Sequence, residues 1–306
     1  RQDVLALVAS SGTVPGRLVT WRVGSHEPVR VWRRSSDENV SPEALSTPQP
    51  LSWSAADGTD VHGLYYPPHS DAFVSAGLPP AIVLVHGGPT GQVAAEYDGR
   101  AQFFATRGYA VLQVNYRGST GYGRAYRNML RENWGIYDVE DAVGGGRHLA
   151  ETGLADPDKL VIMGGSAGGY TVLQTLVTHP GFFKAGVCLY GVSNLFTLAA
   201  DTHKFEERYL DSLIGPLPEA SARYRERSPL FAADRIADPV ALFQGEDDRV
   251  VPKAQSDEIV ASLRARGVPH VYHVYEGEGH GWRKSETIED FYGRVEGFLK
   301  QYVLLA

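Results

Sequence analysis

Two hydrophobic patterns divide the chain near residue 50. Residues 4–10, 17–23 and 29–33 form short β-type segments, separated by turns rich in Gly, Pro and Ser. From residue 51 onward, short apolar runs alternate with longer segments of helical periodicity. This alternation is typical of a doubly wound α/β domain, a mostly parallel sheet with helices on both faces. We therefore expect two parts, residues 1–50 and the main domain at residues 51–306.

The main domain contains enough predicted strands for a large sheet. Its first two, at residues 51–56 and 61–66, flank Asp57-Gly58, a turn dipeptide that favours an antiparallel hairpin at a sheet edge. Six apolar runs then have the composition of strands buried on both faces: residues 81–85, 110–115, 160–163, 186–190, 240–244 and 271–275. Helical patterns cover residues 138–149, 168–178, 253–266 and 286–302.

Composition narrows the functional classes. The 306 residues include 29 basic and 36 acidic side chains, and no run of Lys or Arg could follow a phosphate backbone, which argues against a nucleic-acid partner. Every apolar run is shorter than the roughly 20 residues that span a bilayer. The beginning of the chain has no secretion-signal pattern. We therefore expect a soluble, cytoplasmic protein without a membrane partner.

Ser166 is the strongest candidate nucleophile. The run Gly164-Gly-Ser-Ala-Gly168 joins a predicted buried strand directly to a predicted helix. This is the context of the nucleophile elbow, a sharp turn in which flanking glycines avoid collisions with the strand and the helix. The same turn places the Ala167 N–H at the positive end of the helix, where it could stabilise an oxyanion.

A serine nucleophile needs a base and a group that orients the base. Among the ten histidines, His280 has the expected setting, since it lies between glycines after a late strand and before a closing helix. The loop after the strand at residues 240–244 contains two adjacent carboxylates, Asp247 and Asp248, with Glu246 as a weaker third candidate. The pattern alone leaves the choice between Asp247 and Asp248 open.

The loop His86-Gly-Gly-Pro89 is the expected position of a second oxyanion donor. It follows a buried strand, and glycines let a backbone N–H approach a developing negative charge. We favour the Gly88 N–H as this donor. For His86, holding the loop in shape is favoured over donation from its ring.

Five blocks in this order resemble the catalytic domain of the prolyl oligopeptidase family of serine peptidases. They are His86-Gly-Gly-Pro89, Asn115-Tyr-Arg-Gly-Ser-Thr-Gly-Tyr-Gly123, Gly164-Gly-Ser-Ala-Gly-Gly169, Asp247-Asp-Arg-Val-Val-Pro252 and Gly277-Glu-Gly-His-Gly281. The resemblance covers about residues 51–306 and is greatest to the acylaminoacyl-peptidase and dipeptidyl-aminopeptidase branch. It implies an α/β-hydrolase fold, no metal and no cofactor.

The resemblance also assigns roles to individual residues. The family aspartate stands two positions before an arginine, which selects Asp247 as the group that orients His280. Arg249 then becomes a candidate for substrate binding, with a loop-holding salt bridge as its alternative. Other branches carry a tyrosine where His86 stands, so the resemblance implies a backbone oxyanion hole and argues against strict proline specificity.

By position in the family, the segment after Tyr190 forms part of the substrate pocket. Val192, Leu195 and Leu198, with Tyr170 nearby, would then accept an apolar P1 side chain, with an ordinary core role as the alternative. The stretch Phe205-Glu-Glu-Arg-Tyr209 also resembles the family, but a solvated helix face is the favoured interpretation of its acidic residues.

Family enzymes place a β-propeller before the catalytic domain, and residues 1–50 resemble its last strands and a linker. The remaining propeller would be missing here or carried by another chain, and a homo-oligomer stays open. The implied function is hydrolysis of short peptides or aminoacyl amides through an acyl-enzyme. The alternatives are an esterase or amidase acting on a small aminoacyl compound, and a non-catalytic binding protein, which the complete set of three residues disfavours.

Overall fold

Two β-sheets form in the computed structural model, which describes residues 3–71, 74, 76–201 and 208–306. The smaller sheet is an antiparallel meander of three strands, and most of its side chains are exposed. Its strands are β1 (Val4–Ser11), β2 (Val14–Arg22) and β3 (Arg30–Arg34). The sequence pattern therefore placed these strands to within a few residues.

The larger sheet has eight strands in the order β11-β10-β9-β8-β6-β7-β5-β4. Strands β6 to β11 are parallel to one another, whereas β5 is antiparallel to β7 and forms the predicted antiparallel hairpin with β4 at one edge. The strands are β4 (Gln49–Ser54), β5 (Asp60–Tyr66), β6 (Ala81–Val85), β7 (Ala110–Asn115), β8 (Leu160–Gly165), β9 (Ala185–Leu189), β10 (Val240–Gly245) and β11 (His270–Tyr275). The predicted mixed α/β sheet is confirmed.

Helices cover both faces of the larger sheet. In the described residues they are α1 (Gly99–Ala105), α2 (Gly123–Asn128), α3 (Tyr137–Glu151), α4 (Ala167–Thr178), α5 (Leu195–Asp201), α6 (Tyr209–Leu213), α7 (Ser221–Glu226), α8 (Lys253–Arg266) and α9 (Ser285–Leu299). Short 3-10 segments occur at Pro42–Ala44, Pro157–Lys159 and Pro229–Arg235, and a π-helical turn follows at Lys300–Leu304. The prediction missed the short helices, because five to seven residues carry too little periodicity.

Alternation along the central strands divides the core into two layers. In β6, Val83 and Val85 pack with residues of α3, α4 and α8, whereas Ile82 and Leu84 pack with residues of α1 and α9. All five β6 residues are buried, as expected for a strand with helices on both sides.

The order of strands determines where a site can form. Connections from β6 and β8, which are neighbours in the sheet, lead to β7 on one side and β9 on the other. Their carboxyl ends therefore border a crevice at the topological switch point, where ligands bind in open α/β sheets.

Three consecutive glycines, 144 to 146, lie inside α3. A Cβ atom at Gly145 would lie 2.8 Å from Leu112 Cδ2 and 2.9 Å from the Trp53 ring. The helix therefore packs against β4 and β7 at a distance that only glycine allows.

Gly145→Ala tests this close packing. We expect a loss of about 1–2 kcal/mol in the free energy of unfolding, because overpacking exceeds the gain in helix propensity. The matched control is Gly293→Ala in α9, where a Cβ would meet nothing within 4 Å. The control should gain up to about 1 kcal/mol in urea unfolding. Equal stability of the two variants would contradict the account.

Candidate active site

Ser166 lies in a strained turn between β8 and α4. Its backbone angles are φ 57° and ψ −123°, which few non-glycine residues adopt. A Cβ at Gly164 would lie 2.5 Å from the Gly168 carbonyl carbon, and a Cβ at Gly168 would collide with the Val85 carbonyl oxygen. Both glycines are therefore required by the packing of β8, α4 and β6, as the sequence pattern predicted.

The predicted nucleophile and base are brought together. The Ser166 Oγ lies 2.9 Å from His280 Nε2, and His280 Nδ1 lies 2.8 Å from Asp248 Oδ2. A carboxylate only accepts hydrogen bonds, so Nδ1 carries the ring proton and Nε2 accepts from the serine hydroxyl. This arrangement makes Nε2 available as a base.

The prediction that Asp247 orients His280 is wrong in the structure, because Asp248 occupies that position. Asp248 has a fully buried side chain, whereas Asp247 is exposed. The Asp248 Oδ1 accepts the N–H groups of Val250 and Val251, both at 2.9 Å. These bonds turn its carboxylate inward.

A second polar layer supports Asp248. Gln244, the penultimate residue of β10, donates its amide to Asp248 Oδ2 at 3.2 Å and to the Val251 carbonyl at 3.0 Å. The Gln244 Oε1 in turn accepts the Ser256 hydroxyl at 2.8 Å. A local feature of the sequence could therefore have identified Asp248: its carboxylate can accept the backbone N–H groups that follow it, as in an Asx-type turn.

Glu278 holds the loop that carries His280, and sequence reasoning did not identify it. Its carboxylate accepts the backbone N–H groups of Arg283 and Lys284 at 3.0–3.1 Å. Its carbonyl accepts the Asp247 N–H at 2.9 Å. Because a Cβ at Gly245 would lie 2.6 Å from the same carbonyl oxygen, the aspartate and histidine loops are in direct contact.

The two predicted oxyanion donors lie beside Ser166. Gly88 and Ala167 border the same cavity as Ser166. A Cβ at the neighbouring Gly87 would lie 3.5 Å from Ser166 Cβ, which shows how closely the β6 loop approaches the turn. Within the described ranges, neither the Gly88 nor the Ala167 N–H has a hydrogen-bond acceptor. Both are therefore available to a ligand.

His86 holds the β6 loop rather than facing the cavity with a free nitrogen. Its Nδ1 donates to the Gly87 carbonyl at 2.7 Å, so its Nε2 accepts the Ser119 hydroxyl at 2.8 Å. Its ring stacks on Tyr116, whose hydroxyl donates to the Pro89 carbonyl at 2.6 Å. Burial lowers the pKa of His86 to about 4, which keeps the ring neutral near pH 7.

An apolar cavity opens next to Ser166. Its walls come from the β6 loop, the turn at Ser166, the turn before α3, the segment after β9, the helices α5 and α6, and the loop after β10. The lining residues are Gly88, Pro89, Trp134, Ser166, Ala167, Val192, Leu198, Tyr209, Leu210, Val250 and Val251.

The predicted pocket residues divide into two groups. Val192 and Leu198 line the cavity. Leu195 and Tyr170 are buried in the core and do not line it, so the prediction for these two is wrong in the structure. The Arg249 side chain is exposed and outside the lining, and within the described part of the chain it makes no salt bridge. Sequence reasoning missed the wall formed by Trp134 and Tyr209.

Three further expectations concern the segment at residues 205–207, a metal site and a membrane-spanning helix. Phe205, Glu206 and Glu207 lie outside the described residues. No group of three or more His, Cys, Asp or Glu side chains suited to a metal ion occurs within residues 3–71, 74, 76–201 and 208–306. The same residues contain no helix of the length and apolarity needed to cross a membrane.

The strand order, the strained serine turn and the Ser166, His280 and Asp248 arrangement define the class of α/β-hydrolases. The sequence profile of the prolyl oligopeptidase family matches residues 95–305, and the chain belongs to this family of serine peptidases. A curated relative is dipeptidyl aminopeptidase BIII from Pseudoxanthomonas mexicana, 37% identical over 72% of this chain and 33% of the relative.

Solved structures support the same assignment. A puromycin-hydrolysing peptidase from Mycobacterium tuberculosis is 40% identical, with a TM-score of 0.95 over 98% of this chain and 47% of that one. An acylaminoacyl peptidase from Pyrococcus horikoshii is 25% identical, with a TM-score of 0.85 over 98% of this chain and 48% of that one. The chain thus spans about a third of the curated relative and just under half of these solved chains.

Asp248→Asn and Asp247→Asn test which carboxylate acts on His280. We expect Asp248→Asn to lower kcat for an aminoacyl amide by about 10³–10⁴-fold, because an amide in that place favours the wrong imidazole tautomer. Asp247→Asn exchanges an exposed group of nearly the same shape and should change kcat less than about threefold. If steady-state kinetics showed the larger loss of kcat in Asp247→Asn, the sequence-based assignment of Asp247 would be correct after all.

Proposed function

We propose that the chain carries the catalytic centre of a serine peptidase that hydrolyses short peptides or aminoacyl amides through an acyl-enzyme. The observation that carries the proposal is the continuous hydrogen-bonded series from Ser166 Oγ through His280 to Asp248, with contacts of 2.9 and 2.8 Å. A nucleophile within reach of a base that is itself oriented by a third group is the arrangement required for acyl transfer.

Acylation begins when Ser166 Oγ attacks the scissile carbonyl carbon while His280 Nε2 takes the hydroxyl proton. Asp248 stabilises the imidazolium that forms. The N–H groups of Gly88 and Ala167 stabilise the oxyanion, a contribution of about 3–4 kcal/mol per donor in related chemistry. His280 then gives its proton to the leaving amine, which departs as the carbonyl re-forms.

Deacylation repeats these steps with water. His280 takes a proton from water, whose oxygen attacks the acyl-enzyme, and the proton returns to Ser166 Oγ as the acid leaves. Every proton is carried by His280. The residues of the chain therefore supply the whole reaction.

Substrates with an apolar P1 side chain fit the cavity beside Ser166. Trp134, Val192, Leu198 and Val251 present mainly carbon atoms there. Burial of an apolar side chain against them would contribute about 1.5–3 kcal/mol. This supports aminopeptidase-like or acylaminoacyl-peptidase-like cleavage after an apolar residue.

A second candidate function is hydrolysis of a small aminoacyl compound by the same residues. It is favoured by two solved relatives, each 40% identical, that are named for hydrolysing puromycin. The same acyl-enzyme chemistry serves both candidates, so only the leaving group and the contacts beyond P1 distinguish them.

A β-propeller is the proposed partner of the catalytic domain, with residues 1–50 as its last strands and linker. The three-stranded meander supports this, because an isolated small sheet buries little surface and Leu5, Leu7 and Val8 of β1 are exposed. The part of the solved relatives that this chain does not cover is large enough for such a domain. A propeller would restrict entry to short peptides.

Labelling with a fluorophosphonate probe tests the proposed nucleophile. The full-length protein should be labelled, and Ser166→Ala should abolish labelling because, among the described residues, His280 hydrogen-bonds no hydroxyl group other than that of Ser166. His280→Ala should lower kcat for an aminoacyl amide by about 10⁴-fold or more. Labelling of Ser166→Ala, or full activity of His280→Ala, would contradict the proposal.

The same preparation separates the two candidate functions. Aminoacyl, acetyl-aminoacyl and dipeptidyl amides, puromycin and a simple ester would be compared by kcat/KM. A preference for the peptide amides supports the peptidase, whereas a preference for puromycin or the ester supports the second candidate.

A further inference from the structure

Asp138 is a fully buried carboxylate that takes no part in the reaction steps above. It lies in the first turn of α3, with a relative exposure of 0%. Buried carboxylates are rare unless they are paired or hydrogen-bonded, because desolvation disfavours their charge. The groups that hydrogen-bond to the Asp138 carboxylate therefore indicate its structural role.

The carboxylate joins the turn before α3 to the helix that begins after Ser166. The Asp138 Oδ1 accepts the Gly135 N–H at 2.6 Å, and Oδ2 accepts the Thr171 hydroxyl at 2.6 Å. Thr171 lies in α4, five residues after Ser166. One side chain thus fixes the distance between the Gly135 turn and the helix that carries the nucleophile.

Trp134, the residue before Gly135, is a wall of the substrate cavity. Its carbonyl accepts a hydrogen bond from Arg227 Nη1 at 3.3 Å, and the same Nη1 donates to the Glu132 carbonyl at 2.8 Å. The backbone around Trp134 is therefore held by Arg227 on one side and by Asp138 on the other.

Tyr170 completes the support of this wall. Its ring packs against Trp134 with 4.5 Å between centroids, and its hydroxyl donates to the Arg227 carbonyl at 2.8 Å. Gly135 has φ +84°, and a Cβ there would collide with the Tyr170 hydroxyl. The turn therefore has little freedom to shift without breaking these contacts.

The ionisation of Asp138 is consistent with this role. Burial raises its pKa to about 6, against the opposing effect of Thr171 and the backbone N–H donors. The group is then mostly ionised at neutral pH. Hydrogen bonds to an ionised acceptor are shorter and stronger than neutral ones.

We propose that Asp138 is a positioning residue for substrate selection: by binding Gly135 and Thr171 it sets the place of the Trp134 wall relative to Ser166. Because Trp134 lines the same cavity as Ser166, we expect a large apolar P1 side chain to contact this wall and an alanyl side chain to make little contact with it. The proposal rests on the proposed peptidase function. It assigns the choice of P1 size to a residue that touches no substrate.

The test compares Asp138→Ala and Asp138→Asn with the unaltered full-length protein, using phenylalanyl and alanyl p-nitroanilides. In Asp138→Ala we expect KM for the phenylalanyl substrate to rise about tenfold or more while kcat stays within about threefold. KM for the alanyl substrate should change less than about threefold. Asn keeps an acceptor for Gly135 and should restore most of the difference.

The matched control is Asp238→Ala. Asp238 is another buried carboxylate that accepts a glycine N–H, from Gly181 at 3.0 Å, but it lies before the amino end of β10, whereas Asp248 follows the carboxyl end of that strand. Its loss should lower thermal stability without changing the ratio of the two KM values. A purely structural role of Asp138 would give this same result in Asp138→Ala, and would overturn the proposal.

Two phosphonate probes, with and without a benzyl group in the P1 position, separate failure of this inference from failure of the proposed function. Labelling requires the nucleophile but no peptide hydrolysis. If the unaltered protein is labelled but cleaves neither anilide, the proposed function fails, and the ratio of labelling rates still tests Asp138. If Asp138→Ala does not fold, Thr171→Val removes one of the two contacts of Asp138 and provides the comparison, with Asp138→Asn as the near-unaltered reference. An unchanged ratio in Thr171→Val contradicts the inference.

Discussion

The turn at Ser166 can exist only because no side chain stands at positions 164 and 168. The strained serine backbone requires the end of β8, the start of α4 and the end of β6 to approach within direct backbone contact. That approach places the serine hydroxyl above the sheet and the first amide of α4 beside it. The positions of the proposed nucleophile and of one proposed oxyanion donor are thus consequences of the same local packing, and a side chain at either glycine would disrupt both.

Sheet topology then brings the other loops to this turn. Connections from β6 and β8 leave in opposite directions, so the loop that carries Gly88 lies against the serine. The loops after β10 and β11 carry Asp248 and His280 at the same edge of the sheet, and Gly245 and Glu278 hold them together. Most of these contacts are to backbone groups, which gives the site rigid support independent of surface side chains.

The features of the fold and the site that depend on local sequence pattern could be predicted, whereas those that depend on contacts between distant residues could not. The central strands and the long helices are determined by hydrophobic period, and the positions of Ser166 and His280 by glycine-rich loops at strand ends. The choice between Asp247 and Asp248 depends on which carboxylate caps the N–H groups of Val250 and Val251, and residue spacing relative to an arginine pointed to the wrong one. Trp134 reaches the cavity from a turn 32 residues before Ser166, and no local pattern indicates such a contact.

The most direct test of the account is a crystal structure of the full-length protein inhibited by a phosphonate. The account predicts a bond from phosphorus to Ser166 Oγ, with the phosphonyl oxygen about 3 Å from the N–H groups of Gly88 and Ala167. It also predicts His280 hydrogen-bonded to Asp248. A phosphonyl oxygen directed away from both N–H groups, or His280 paired with Asp247, would contradict it.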